Sequence, residues 1–411
     1  MVEIADKNRF LINKIINKSN SALLCLIGMI AGFLCSRVLC SIATFLFGVS
    51  MLWGINPKLW FKNKWWLLGL AWVVFYALSY FNSSNKALWG IALQIKLPFL
   101  LLPLAFSYMP SFTLQQIRIL TISIGVLLVA GACYSVSFLI TDYYYIMTEY
   151  RVSHLLPTPA RGDHIRFSLA IVLYIIWAIS VFKSLANKYL QLIVGVCIAL
   201  LFVYIHILAA KSGLVSLYVF VIIYSIYLIF TKKRIIGLLI VILVPIIIYI
   251  AINFIPTLTK RFNYIAYTFE MFQKGDKSGD YGDIGRLYSY KIATQIIKQY
   301  PFFGVGTGDM LNEMSLIYEK EYAEIPKENR LLPHNQFLIV ALGCGLPAMA
   351  LFIIWFFYPL LLLRRNKESF YFFLVWFLLF IQLMIEPALE IQYGVLVFLF
   401  FLLIQKQLLR K

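Results

Sequence analysis

Of the chain's four histidines, His154, His164, His206 and His334, the last opens PHNQFL, where a long polar stretch gives way to an apolar one. A histidine is the side chain suited to general-base work near neutral pH, so one placed there can take a proton from a hydroxyl. With Asn335 beside it, the same residue can also do no more than hydrogen-bond a helix start. Arg166 lies in GDHIRFSLA, slightly inside an apolar register and close to Arg161 and His164. An arginine at a membrane boundary is costly to bury and so points to function, with snorkelling to head groups as the alternative. Arg286 reads as the first residue of an amphipathic helix over 286–300 (RLYSYKIATQIIKQY), with Asp283 and Gly285 before it and Pro301 ending it. A cation is unfavourable at the positive end of a helix dipole, unless the guanidinium and the free N–H groups share a bound anion. A solvated loop charge is the plainer account. Lys211, in LAAKSGLVSL, is conspicuous as a cation between two apolar runs. Glu386 and Glu390, in IEPALEIQYG, either orient a His or Arg or cap the helix that follows.

Two suggestive patterns carry less. Gly304, Gly306 and Gly308 alternate in PFFGVGTGDM, but no Lys-Ser/Thr follows, so they read as a tight turn and not as a phosphate loop. Asp276, Asp280 and Asp283 lack the spacing of a calcium-binding loop. The six cysteines all fall in apolar runs, which excludes a disulfide framework or zinc cluster. The residues left are three or four cations and one histidine, with no clear metal site. Such cations suit a diphosphate, because arginine forks neutralise and orient that anion and would stabilise it as a leaving group.

These residues must be positioned by membrane helices. Of 411 residues, 62% are hydrophobic and 13% charged, against about 25% charged in soluble chains. Twelve apolar runs of bilayer-spanning length, roughly 20 residues each, are legible from 20–36 to 391–408. The fourth, 88–108, is interrupted by Gln94 and Lys96 and kinked by Pro98 and Pro103. The expectation is an all-α polytopic membrane protein. It comprises an amphipathic cytoplasmic lead-in at 1–19, read as an uncleaved start, and nine spans over 20–255 with an outer loop at 141–164. A large outer loop with amphipathic helices covers 256–334, and three spans with a short tail cover 335–411. A second amphipathic piece is expected around 311–324.

The net charge of +18 raises the question of nucleic acid, but its distribution answers it. With the N-terminus inside, nineteen basic residues fall on the inner face, and only Arg37, Lys86 and Lys211 in short outer loops. That is the bias that orients membrane proteins, and it puts both termini in the cytoplasm. A transporter would place ionisable residues deep in its spans as a relay; here they gather at the outer ends, Lys96 excepted.

The motifs together resemble a known family. HNQFL followed by GCGLP (334–347) resembles the His-Asn-x-x-Leu … Gly-x-x signature of the O-antigen ligase and polymerase superfamily. GRLYSYKIATQIIKQYPFFGVGTGD (285–309) is similar to its outer-loop stretch, HIRFSL (164–169) to its earlier arginine motif, and EPALEIQYG to its C-terminal Glu-x-x-x-Glu-x-Gln-x-Gly stretch. LAAKSG stands where many members read Ser-Arg-Gly or Arg-Ser-Gly, with Lys211 as the cation, so a bidentate contact is lost there. The resemblance implies a metal-independent, inverting glycosyltransferase of the GT-C type, without cofactor. It would move a glycan from undecaprenyl diphosphate to an acceptor hydroxyl, in a ligase that of lipid A-core oligosaccharide, on the periplasmic side of the inner membrane. It makes His334 the base, and Arg166 and Arg286 the diphosphate ligands. Lys211, Arg161, His164, Asn335, Glu386 and Glu390 are placed around the substrate. A polysaccharide polymerase and a protein O-oligosaccharyltransferase share this donor chemistry.

Overall fold

The computed structural model describes residues 17–152, 154–185, 187–231, 233–274, 282–364 and 366–409. The expected lead-in therefore falls almost wholly outside the described residues, as do Asp276 and Asp280. Every element among the described residues is helical. The membrane part opens with α1 (Lys18–Cys35), α2 (Arg37–Leu52), α3 (Lys64–Leu78), α4 (Lys86–Lys96), α5 (Pro98–Tyr108) and α6 (Leu114–Thr141). After the 141–164 connection come α7 (His164–Val181), α8 (Lys188–Leu208), α9 (Lys211–Ile229) and α10 (Arg234–Phe254). The large loop holds α11 (Pro256–Gln273), α12 (Gly282–Gln299) and α13 (Met310–Glu321). The chain returns through α14 (Gln336–Cys344), α15 (Leu346–Phe357), α16 (Lys367–Ile385) and α17 (Gln392–Leu408).

Eight of the apolar segments among the described residues are long enough to cross a membrane. Four shorter apolar helices, Arg37–Leu52, Lys64–Leu78, Leu346–Leu362 and Gln392–Leu408, fill the remaining positions of the sequence pattern. The chain is thus an all-α polytopic membrane protein. Its helix starts follow from asparagine: Asn17, Asn63, Asn85, Asn187, Asn335 and Asn366 each accept a first-turn backbone N–H with the side chain. Such donors need a partner near hydrocarbon, where water is scarce. At the centre stands α7, with 78% of its spanning window buried, while the α10 window is 11% buried and faces outward. Small residues let helices meet closely around α7. A Cβ on Gly213 of α9 would sit 2.5 Å from that of Ser168, which sets the start of α9 level with the start of α7.

Two spans read as continuous are broken. The fourth divides into α4 and α5 at Leu97, with Pro98 opening the second half and Lys96 closing the first. The tenth, expected as one run, divides at Gly345 (φ +87°) into α14 and α15. The glycine turn after Pro301 docks on that break: Val305 N–H donates to Leu342 O at 2.9 Å, Gly306 N–H to Gly343 O at 3.1 Å and Leu346 N–H to Pro301 O at 2.7 Å. A Cβ on Gly345 would lie 2.2 Å from Phe302 O. Gly345→Ala is therefore expected to cost at least about 1–3 kcal/mol for the left-handed backbone alone, measured as a lowered melting temperature in detergent.

Among its described residues, the large loop forms a layer packed on α14. Ile292, Ala293, Ile296 and Ile297 of α12 and Met310, Met314 and Tyr318 of α13 share a core with Ile339 and Leu342. The apolar face expected for the loop helix holds at Ala293, Ile296 and Ile297, whereas Leu287 and Tyr300 are exposed. The sequence reading did not separate α11 as a helix.

Candidate active site

The described site is built on a carboxylate. Glu386 lies just past the end of α16, its side chain 5% exposed, and two of the predicted residues converge on it from distant parts of the chain. Arg286 Nη2 lies 2.7 Å from Glu386 Oε1 and donates to it, while His334 Nδ1 lies 3.2 Å from Oε2. The histidine contact is close but off the line of a hydrogen bond. Burial pushes the Glu386 carboxyl up, but His334, Arg286 and Arg166 pull it down and prevail, so it stays below the ordinary value. Its ionised form holds the site together at neutral pH, and that contribution is lost as pH falls through the carboxylate range.

Arg166 is within electrostatic reach of Glu386 and buried. Asp163 caps α7 by accepting the Arg166 N–H at 3.1 Å and lies 3.6 Å from Arg166 Nη1. The Arg166 Nε has no hydrogen-bond partner among the described residues. The reason for a glycine at 394 is visible here: a Cβ would fall 1.7 Å from Ala388 O and 3.5 Å from Arg166 Nε. The 386–390 turn can thus close onto α17 alongside the guanidinium. His164 feels Asp163, Glu386 and a further cation, Arg261 of α11. Lys211 opens α9 at the depth of this cluster, since Gln382, one turn before Glu386, donates to Ser212 O at 3.3 Å and Ser216 Oγ at 2.9 Å.

The arrangement corrects several expectations. Arg286 does not begin its helix; α12 starts at Gly282, so Arg286 stands beyond the first three helical positions and the helix-dipole argument for an anion loses its footing. Its role rests instead on Glu386. Glu390 is not part of the cation cluster. It pairs with the fully buried Lys96 at 2.9 Å and accepts from Gln336 Nε2 at 2.6 Å. Asn335 is occupied by the backbone: its Oδ1 accepts from Phe337 and Leu338 N–H, and its Nδ2 donates to Met384 O. It shapes the His334 segment. The Arg161 and Asp283 side chains lie outside the described part. Among the described residues no three His, Cys, Asp or Glu side chains gather as metal ligands would.

Two residues went unread in the sequence. Arg261 sits in the loop among balanced charges, with no motif to mark it; its guanidinium lies 5.8 Å from the Tyr264 ring centre. Tyr290, one turn after Arg286, donates its hydroxyl to His334 O at 2.8 Å and so ties α12 to the histidine. The spacing of four from Arg286 was a usable signal, because residues so spaced share a helix face.

Beneath the site, Lys96 Nζ donates to Leu389 O at 2.6 Å, and Leu389 N–H donates to Gln336 Oε1 at 2.8 Å. Lys96 thus fastens the 388–390 turn to the residue two places after His334. Lys96→Met leaves the Glu390 charge without its cation and is expected to cost on the order of 3–5 kcal/mol. Lys96→Met with Glu390→Gln should recover part of that loss in a detergent melting curve.

A family model described as O-antigen ligase matches residues 194–353. That stretch runs from α8 into α15 and holds Lys211, Arg261, Arg286 and His334; Arg166 and Glu386 lie to either side of it. No curated protein matches the chain. Through residues 194–353, this multi-pass membrane protein is similar to the O-antigen ligase family.

Proposed function

We propose that the chain is an O-antigen ligase, transferring a glycan en bloc from undecaprenyl diphosphate to a hydroxyl of lipid A-core oligosaccharide without metal or cofactor. The observation that carries this reading is the meeting of Arg286 and His334 on Glu386, with Arg166 beside them at the mouth of the bundle. Guanidinium groups around one buried carboxylate leave positive charge in excess, which suits a diphosphate. Glu386 at Nδ1 favours the tautomer with its proton there, leaving Nε2 to accept a proton from the acceptor hydroxyl. The hydroxyl oxygen then attacks the anomeric carbon, the bond from that carbon to the phosphate oxygen breaks, and its electron pair leaves on the diphosphate against Arg166 and Arg286. One displacement inverts the configuration.

The nineteen basic residues assigned to the far face support a cytoplasmic location for it, and hence an active site facing the periplasm of the inner membrane. The test is a reaction of purified protein in detergent with a lipid-diphosphate glycan and candidate acceptors. Transfer without an ion gradient supports the reading, and none with any acceptor contradicts it. In a deletion strain, naked core with accumulated lipid-linked polymer marks a ligase, whereas core bearing a single repeat unit marks a polymerase.

A further inference from the structure

The end of the bundle opposite Glu386 holds a second cationic site. A cavity of about 560 Å³ opens there, at the far end of α7 from Arg166. Its lining is mixed: Ile179, Phe182, Ile198 and Leu228 are apolar, Lys183, Lys233 and Lys367 are cationic, and no acid lines it among the described residues. Lys367 is not a lysine spread into water. It is half-buried, its Nζ donates to Ser180 O at 3.4 Å and lies 5.3 Å from the centre of the Tyr371 ring. Held inward in this way, it feels the repulsion of Lys183 and Lys233 and the attraction of Glu368. Three like charges drawn to one cavity are unfavourable without a counter-ion. Tyr224 and Tyr371, their ring centres 6.3 Å apart, add polar groups to the lining.

We propose that this cavity binds the phosphate headgroup of an anionic phospholipid from the leaflet on that side, with an acyl chain against its apolar residues. The mixed apolar and cationic lining decides for a lipid over a free anion. A small phosphate would use the lysines and leave Ile179, Ile198 and Leu228 facing water, whereas an amphiphile at a bilayer surface covers both. Basic pockets between helices at a membrane surface are suited to such headgroups, each lysine contributing about a fivefold gain in affinity.

The test uses the full-length protein in a zwitterionic detergent, with bound lipid counted by native mass spectrometry during titration with phosphatidylglycerol, phosphatidylcholine or inorganic phosphate. Phosphatidylglycerol should be retained and phosphatidylcholine not. Lys183→Gln, Lys233→Gln and Lys367→Gln together should weaken retention on the order of a hundredfold, and each alone roughly fivefold. The three Lys→Arg replacements, which keep the charge, should retain the lipid. Equal retention of both lipids, or wild-type retention by the glutamine variants, overturns the proposal. Displacement of phosphatidylglycerol by inorganic phosphate would show a free-anion site and overturn it too.

Discussion

Replacing His334 by alanine should lower the rate of glycan transfer by on the order of 10²–10⁴, the usual share of a positioned general base, with donor binding nearly unchanged. The asymmetry follows from the geometry. His334 is held from three sides: Tyr290 binds its carbonyl, Asn335 starts the helix after it and Glu386 faces its Nδ1. The first two do not involve the imidazole, and Arg286 keeps its own bond to Glu386 Oε1 without it. Single-turnover transfer and donor affinity, measured on the same preparation, separate the two effects. Full transfer by His334→Ala removes the histidine from the mechanism. A loss of donor binding equal to the loss of rate would make it a ligand and not a base.

Arg286→Ala is expected to cost 10²–10³-fold in transfer, the typical loss of one donor aimed at developing charge, and to weaken donor binding as well. The guanidinium serves two partners, Glu386 Oε1 within the protein and, on this account, the departing diphosphate. Arg286→Lys keeps the charge but not the planar fork, so it should recover only part of the rate. Because Glu386 joins Arg286 to His334, Glu386→Gln combined with Arg286→Ala should lose much less than the sum of the two. Strict additivity would mean that the carboxylate does not couple them.

Much of the architecture was legible because a bilayer imposes it. The twelve apolar runs need only length and composition, and the kink at Lys96 and Pro98 was written in residue types. The break at Gly345 was signalled by the Gly and the nearby Pro347 but overridden by apolar continuity on either side. Contacts between remote segments were not legible in the same way. Nothing local to Lys96 identifies Glu390 as its partner, and nothing near Arg261 marks it off from other loop charges. Glu386 and Glu390 looked equivalent in IEPALEIQYG, yet the 388–390 turn sends one to the arginines and the other to Lys96. Asn335 shows the converse: its position before an apolar run was already a capping signal, and the structure gives it that role.

The central claim, that Arg166 and Arg286 form one anion site with His334 on its reacting side, is tested most directly by determining a structure with a lipid-diphosphate glycan bound. The account predicts phosphate oxygens within hydrogen-bond distance of both guanidinium groups and His334 Nε2 on the side of the anomeric carbon away from the diphosphate. A diphosphate seated away from Glu386, or a histidine ring turned from the anomeric carbon, would contradict it.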